Sequence, residues 1–181
     1  MIRVLPAFYQ LLISPLRFVQ LYALQNPLRL GFFVVFLASL AAIPEWFSKD
    51  LSLLSSFSLV FSGYCILLAL QAMMTDFFAQ LNHLRGRSLA LFSWFCVSLL
   101  PFILAPVFML LARHFFVPGF FELCQSLLGF VVLLWQLFII KEVYQCSLRK
   151  SILLYVLPLF ILISLFLIFA LLGASLLSLY G

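Results

Sequence analysis

Charge is what this sequence has least of. Acidic and basic residues together make up 8% of its 181 positions, against roughly 25% in a soluble domain. So few ionic groups cannot keep a folded chain in water, which excludes a free-standing soluble domain. Catalytic signatures are missing as well. There is no glycine-rich phosphate loop, no HExxH zinc motif and no GxSxG nucleophile elbow. The four cysteines, Cys65, Cys96, Cys124 and Cys146, lie in or at the edge of apolar blocks, with no CxxC and no histidine at metal spacing. They read as buried thiols that behave like small hydrophobes. Paired carboxylates are absent too. Asp50 and Asp76 stand at opposite ends of one block, about 26 positions and so about 40 Å apart if helical. His83 and His114 fall at opposite ends of another block and cannot share a metal. An enzyme is not expected, nor any cofactor.

What is present is hydrophobic: 67% of the residues, with 23 phenylalanines, a composition suited to lipid-facing surfaces and interfacial belts. The expectation is an all-α integral membrane protein. Its length leaves room for about four to six spans of roughly 20 residues and almost no soluble domain. The net charge of +5 does not indicate nucleic acid. The basic residues occur singly and in pairs at the ends of apolar blocks, which is a topology signal.

Residues 1–27 carry Pro6, Pro15 and Pro27, with Arg3, Arg17, Gln10, Gln20, Gln25 and Asn26 interrupting the apolar run. Proline limits this stretch to short helices, and it reads as an interfacial segment with its arginines towards headgroups. A signal peptide fits less well, because its core would hold Arg17 and two prolines. Residues 28–181 form the membrane domain, with five spans expected at about 28–44, 51–79, 88–111, 120–140 and 152–172. Pro44 is expected to close the first span, and Trp46 lies in the polar turn that follows. Pro101 and Pro106 should kink the third span, and Pro158 the fifth. The residues KEVYQCSLRK read as a basic connector.

Orientation follows from the cations. With the N-terminus in the cytosol, the inner segments hold Arg3, Arg17, Arg29, Arg85, Arg87, Lys141, Arg149 and Lys150, and the outer ones only Lys49 and Arg113. This positive-inside bias predicts a cytosolic N-terminus and a C-terminus outside.

The second span carries the sharpest functional candidate. Steps of three and four residues trace Ser55, Ser58, Ser62, Cys65, Ala69, Ala72, Asp76 and Ala79, one face of a helix. Before the aspartate every residue on that seam is small, which lets another backbone approach closely. Asp76 should therefore point at protein, where an intramembrane charge is tolerated. With Thr75 and Gln80 it forms either a proton- or cation-linked site or an anchor for a partner surface. The plainer reading pairs it with Arg85 or Arg87 across the turn, simply orienting two helices. Arg85 and Arg87 flank Gly86, and suit either topological anchoring or contact with acidic lipid or a cytosolic partner. Glu142 beside Lys141 reads as a snorkelling boundary pair, and Gln136 as a hydrogen-bonder to a neighbouring helix.

Three passages together resemble the Yip family of five-span membrane proteins, named for Ypt/Rab-interacting proteins, and its bacterial branch in particular. One is LLISPLRFVQLYALQNPLRLGFFVVF, with a proline before the first helix. Another is TDFFAQLNHLRGRSLALFSWFCVSLLPFILAPV, where Ser98-Leu99-Leu100-Pro101 sits like the family's S-x-x-P. The last is LLWQLFIIKEVYQCSLRKSILLYVLPLFI, a span, a basic connector and a proline-containing final span. The resemblance implies a five-helix fold with a cytosolic N-terminus. For eukaryotic members it implies roles in vesicle traffic through small-GTPase binding, associated with a longer cytosolic N-terminal region. Only 27 mostly apolar residues precede the first span here, so GTPase binding is not expected.

The expected function is a non-catalytic scaffold or adaptor in the bacterial cytoplasmic membrane. It would organise lipid, or bind another membrane protein or a second copy of itself, through its cytosolic face. The alternative is a small transporter or lipid-moving protein built on Gln71, Thr75, Asp76 and Gln80, since broken helices such as spans three and five often mark a substrate path.

Overall fold

Prolines and polar residues punctuate the apolar blocks, and helices fill the intervals between them. In the computed structural model, which describes residues 9–11, 13–46, 52–115 and 119–180, α1 spans Pro15–Tyr22. Pro15 sits in its first turn, where the missing N–H would have no helical partner anyway. Helix α2 runs Leu28–Trp46 and α3 Leu53–Leu81. The Ser52 side chain caps α3 by accepting from the Ser55 N–H at 3.2 Å. Helix α4 (Ser88–Ser98) gives way to a 3₁₀ turn at Leu100–Leu104 and then to α5 (Ala105–Phe115). Helices α6 (Phe120–Tyr144) and α7 (Leu148–Tyr180) complete the chain. No strand occurs among the described residues.

Three stretches are long and apolar enough to cross a membrane: Leu53–Leu81, Ser88–His114 and Phe120–Tyr144. Leu28–Ile43 is apolar but shorter. The chain is thus an all-helical protein of membrane-embedded composition.

Several helix limits differ from expectation. Pro44 does not close α2 but lies in its last turn. Lys141–Tyr144, read as connector, continue α6, and α7 starts at Leu148 instead of Ile152. Charged and polar residues near a helix end can stay helical if their heads reach the polar boundary, so hydropathy alone clips such turns. The break in the third apolar block falls at Leu100–Leu104, around Pro101, while Pro106 lies in the first turn of α5. Helix α7 continues through Pro158.

Helix α4 is the centre of the packing, lying against α2, α3 and α6. All its residues from Ala90 to Ser98 except Phe92 are buried. A helix enclosed on nearly every side must be apolar nearly all round, and this one is. Its approach to α2 is close at Gly31, where an added Cβ would stand 2.7 Å from the Ser93 carbonyl oxygen and 2.9 Å from Cys96 Cβ.

The N-terminal segment is docked onto this bundle. Leu11, Phe18, Val19 and Ala23 are buried, while Arg17 and Gln20 are exposed. The Phe18 ring meets Trp94 edge-on at 5.9 Å, and the Trp94 indole N–H donates to the Gln25 carbonyl at 3.2 Å. Arg3, Pro6, Lys49 and Asp50 lie outside the described residues.

Candidate functional site

The end of α3 is shaped by a left-handed residue. Leu84 N–H donates to the Ala79 carbonyl at 3.0 Å and His83 N–H to that of Gln80 at 2.9 Å, with His83 at φ 61°. This is the Schellman way of closing a helix, in which glycine usually takes the left-handed position. Helix α6 ends similarly. Gln145 has φ 50°, and Cys146 N–H donates to the Lys141 carbonyl at 3.1 Å. The two ends lie side by side. Arg87 Nη1 ties them together by donating to the Val143 carbonyl at 2.9 Å, a cation placed at the negative end of a helix.

Asp76 sits just inside this junction and is buried. Its Oδ1 accepts the Arg87 backbone N–H at 2.6 Å and also the Tyr144 hydroxyl. Its Oδ2 accepts Gln80 Nε2 at 2.8 Å. Both oxygens are therefore engaged by donors of the same chain. Gly86 lies over the pair. A Cβ there would come within 2.7 Å of Gln80 Nε2 and 3.4 Å of Asp76 Oδ2.

The expected Asp76–arginine ion pair takes another form. Arg87 contributes its backbone N–H, and its guanidinium turns to α6. The physical reason is local. Arg87 precedes the first turn of α4 at φ −147° and ψ 37°, outside the helical region, which leaves its N–H free of the helix and available to the carboxylate. Arg85 is exposed and, among the described residues, its side chain takes part in no hydrogen bond or ion pair.

Gln136 belongs to a second cluster, deeper in the bundle. Its Oε1 accepts Gln71 Nε2 at 3.2 Å and the Tyr155 hydroxyl at 2.8 Å, and its Nε2 donates to Ser98 Oγ at 3.2 Å. Four helices, α3, α4, α6 and α7, are joined through one side chain. Thr75 is buried, and its hydroxyl has no hydrogen-bond partner among the described residues. Glu142 stands apart, paired with Lys141 at 3.5 Å.

The small-residue seam is buried only in its second half. Ala72, Asp76 and Ala79 are enclosed, Ser55, Cys65 and Ala69 are half-buried, and Ser58 and Ser62 are exposed. In place of an interhelical contact, the Ser62 hydroxyl bonds back to the Ser58 carbonyl at 2.7 Å, a local satisfaction open to serine in any helix. The buried side chain in the first half is Ser56, one step off the seam. Leu68, also off the seam, joins the core.

Tyr144 and Tyr155 carry no functional signal in composition or hydropathy. Tyr144 lay in the supposed connector, yet Gln136, Ile140 and Tyr144 follow one another at four-residue steps and share a helical face. That spacing is the signal that could have found it. Among the described residues no group of three metal-binding side chains comes together. No protein-family model, curated protein or solved structure matches the chain.

Proposed function

We propose that this protein is a Yip-like, non-catalytic membrane scaffold. It has five spans, a cytosolic N-terminus and an outer C-terminus, most simply in a bacterial cytoplasmic membrane. Its cytosolic face organises lipid, or holds a second membrane protein or another copy of the chain. The observation that supports this reading is the complete internal engagement of Asp76. A carboxylate held by Gln80, Tyr144 and the Arg87 N–H is suited to fastening two helix ends. It leaves the exposed Arg85 guanidinium available to the surroundings.

A second reading has support of its own. Gln71, Ser98, Gln136 and Tyr155 form a polar cluster inside the bundle, and Ser98 directly precedes the α4–α5 break. Polar groups beside a discontinuous helix are the arrangement of many substrate paths, which suits a small transporter or lipid-moving protein.

Purification from native membranes in mild detergent, with mass spectrometry of associated proteins, separates the two. A stoichiometric protein partner, lost when Arg85 and Arg87 are both changed to alanine, is the expected result. A preparation with no partner, giving solute flux in proteoliposomes that Gln136→Leu abolishes, would overturn the scaffold reading. The topology is tested in a cysteine-free background. A cysteine at position 85 should be labelled from the cytosolic side and one at 113 from the outer side.

A further inference from the structure

Between the two left-handed helix ends lies a cleft of 310 Å³, lined by His83, Arg85 and Arg87 from one turn and by Val143, Tyr144 and Gln145 from the other. Its volume is at the small end of the range of ligand sites, about 300–1,000 Å³. No carboxylate lines it. The acid of this junction, Asp76, has both oxygens committed to internal donors. Two permanent cations therefore face one concave space with no lining anion to neutralise them.

The donors are of the right kind for an oxyanion. A guanidinium offers five N–H groups in a planar fork that matches phosphate geometry. Arg87 spends one nitrogen on the Val143 carbonyl, which fixes the side chain at the wall of the cleft. The Arg85 side chain is exposed and has no partner among the described residues. The cleft also sits at the end of two helices of membrane-spanning length, and the ends of such helices, where they span, meet the headgroup region. Leu81 and Leu89, on either side of the turn in sequence, are more than half exposed, as expected where a polar boundary meets acyl chains.

We propose that this cleft binds a net-negative phosphate ester, with Arg85 as the mobile ligand and Arg87 as the fixed one. An anionic phospholipid headgroup and a soluble phosphate ester share this chemistry. The inference rests on the lipid-organising part of the function proposed above, and names the ligand class of that face.

The test is native mass spectrometry of the detergent-solubilised full chain, titrated separately with phosphatidylglycerol, phosphatidylcholine and glycerol 3-phosphate. Phosphatidylglycerol should bind more tightly than phosphatidylcholine. Arg85→Ala should weaken it about fivefold, the factor that about 1 kcal/mol per surface cation represents. Arg85→Lys should keep part of the affinity, and Arg113→Ala, at the other end of the bundle, should change nothing. Arg85→Gln supplies the same comparison if the alanine variant fails to fold. Binding of glycerol 3-phosphate without a preference for phosphatidylglycerol, with the same dependence on Arg85, would support the site and assign it a soluble ligand. Equal affinity for both lipids with no glycerol 3-phosphate bound would overturn it, as would equal losses in Arg85→Ala and Arg113→Ala. Either failure would leave partner capture from native membranes as a separate result.

Discussion

Arg87 holds Asp76 through its backbone, not its charge: the N–H donates to Oδ1 at 2.6 Å while the guanidinium reaches the Val143 carbonyl at 2.9 Å. One residue thus fastens the end of α3 to the end of α6. Tyr144 closes the same junction from the α6 side. The arrangement places a buried carboxylate among donors, which is how such a group is tolerated away from water.

Asp76 and Tyr144 should be energetically coupled. Tyr144→Phe removes one donor and is expected to destabilise the protein by about 1–2 kcal/mol. In a double-mutant cycle with Asp76→Asn, a coupling of about 0.5–3 kcal/mol is expected for groups in direct contact. Unfolding in mild detergent measures both. Strict additivity would show that the hydroxyl and carboxylate do not interact.

Two glycines should behave oppositely. Gly31→Ala places a methyl group against the Ser93 backbone and Cys96 Cβ. Neither can swing aside, and such overpacking typically costs about 1–3 kcal/mol. Gly129 has no neighbour within 4 Å of the added Cβ, so Gly129→Ala should be neutral or stabilising by up to about 1 kcal/mol. The pair of unfolding midpoints is the measurement. A matching response at both sites would contradict the close α2–α4 approach.

Gln136→Leu should loosen four helices at once. Interhelical hydrogen bonds in membrane bundles average about 0.6 kcal/mol and reach about 1.7. Losing the partners Gln71, Ser98 and Tyr155 should therefore cost about 2 kcal/mol in sum. Faster amide exchange should appear in α7 as well as α6. Exchange confined to α6 would mean that the cluster does not join them.

The two arginines of the turn should separate by assay. Arg87→Ala removes the bond to Val143 and is expected to cost about 1–2 kcal/mol of stability. Arg85→Ala, exposed and unpartnered among the described residues, should change the unfolding midpoint by no more than about 0.5 kcal/mol. Equal destabilisation would assign Arg85 a structural contact as well.

Much of this architecture is legible in the sequence, for identifiable reasons. The deficit of charge dictates a membrane-type chain. Apolar blocks bounded by proline, glycine and cations dictate where helices form. The inward turn of Asp76 is readable from Ala72 and Ala79, which lie on its helical face and leave room for a neighbour. Hydropathy ends α6 too early at Lys141–Tyr144, because it falls there before helical geometry does. On the first half of α3 the spacing shows that Ser58 and Ser62 share a face, but not whether a neighbour covers it.

That last distinction is general in this protein. Periodicity is a local property, so the sequence by itself determined the helices, their faces and the likeness of Asp76 to a residue in protein contact. Only the tertiary structure decided the partners. Tyr144 stands 68 positions from Asp76, and Gln136 stands 65 from Gln71. Such pairs depend on which helix ends dock and at what height, and those are set by the fit of α4 among its neighbours. The donor that Arg87 offers was likewise decided by the path of the turn, because every residue except proline carries the same N–H and only backbone geometry aims it.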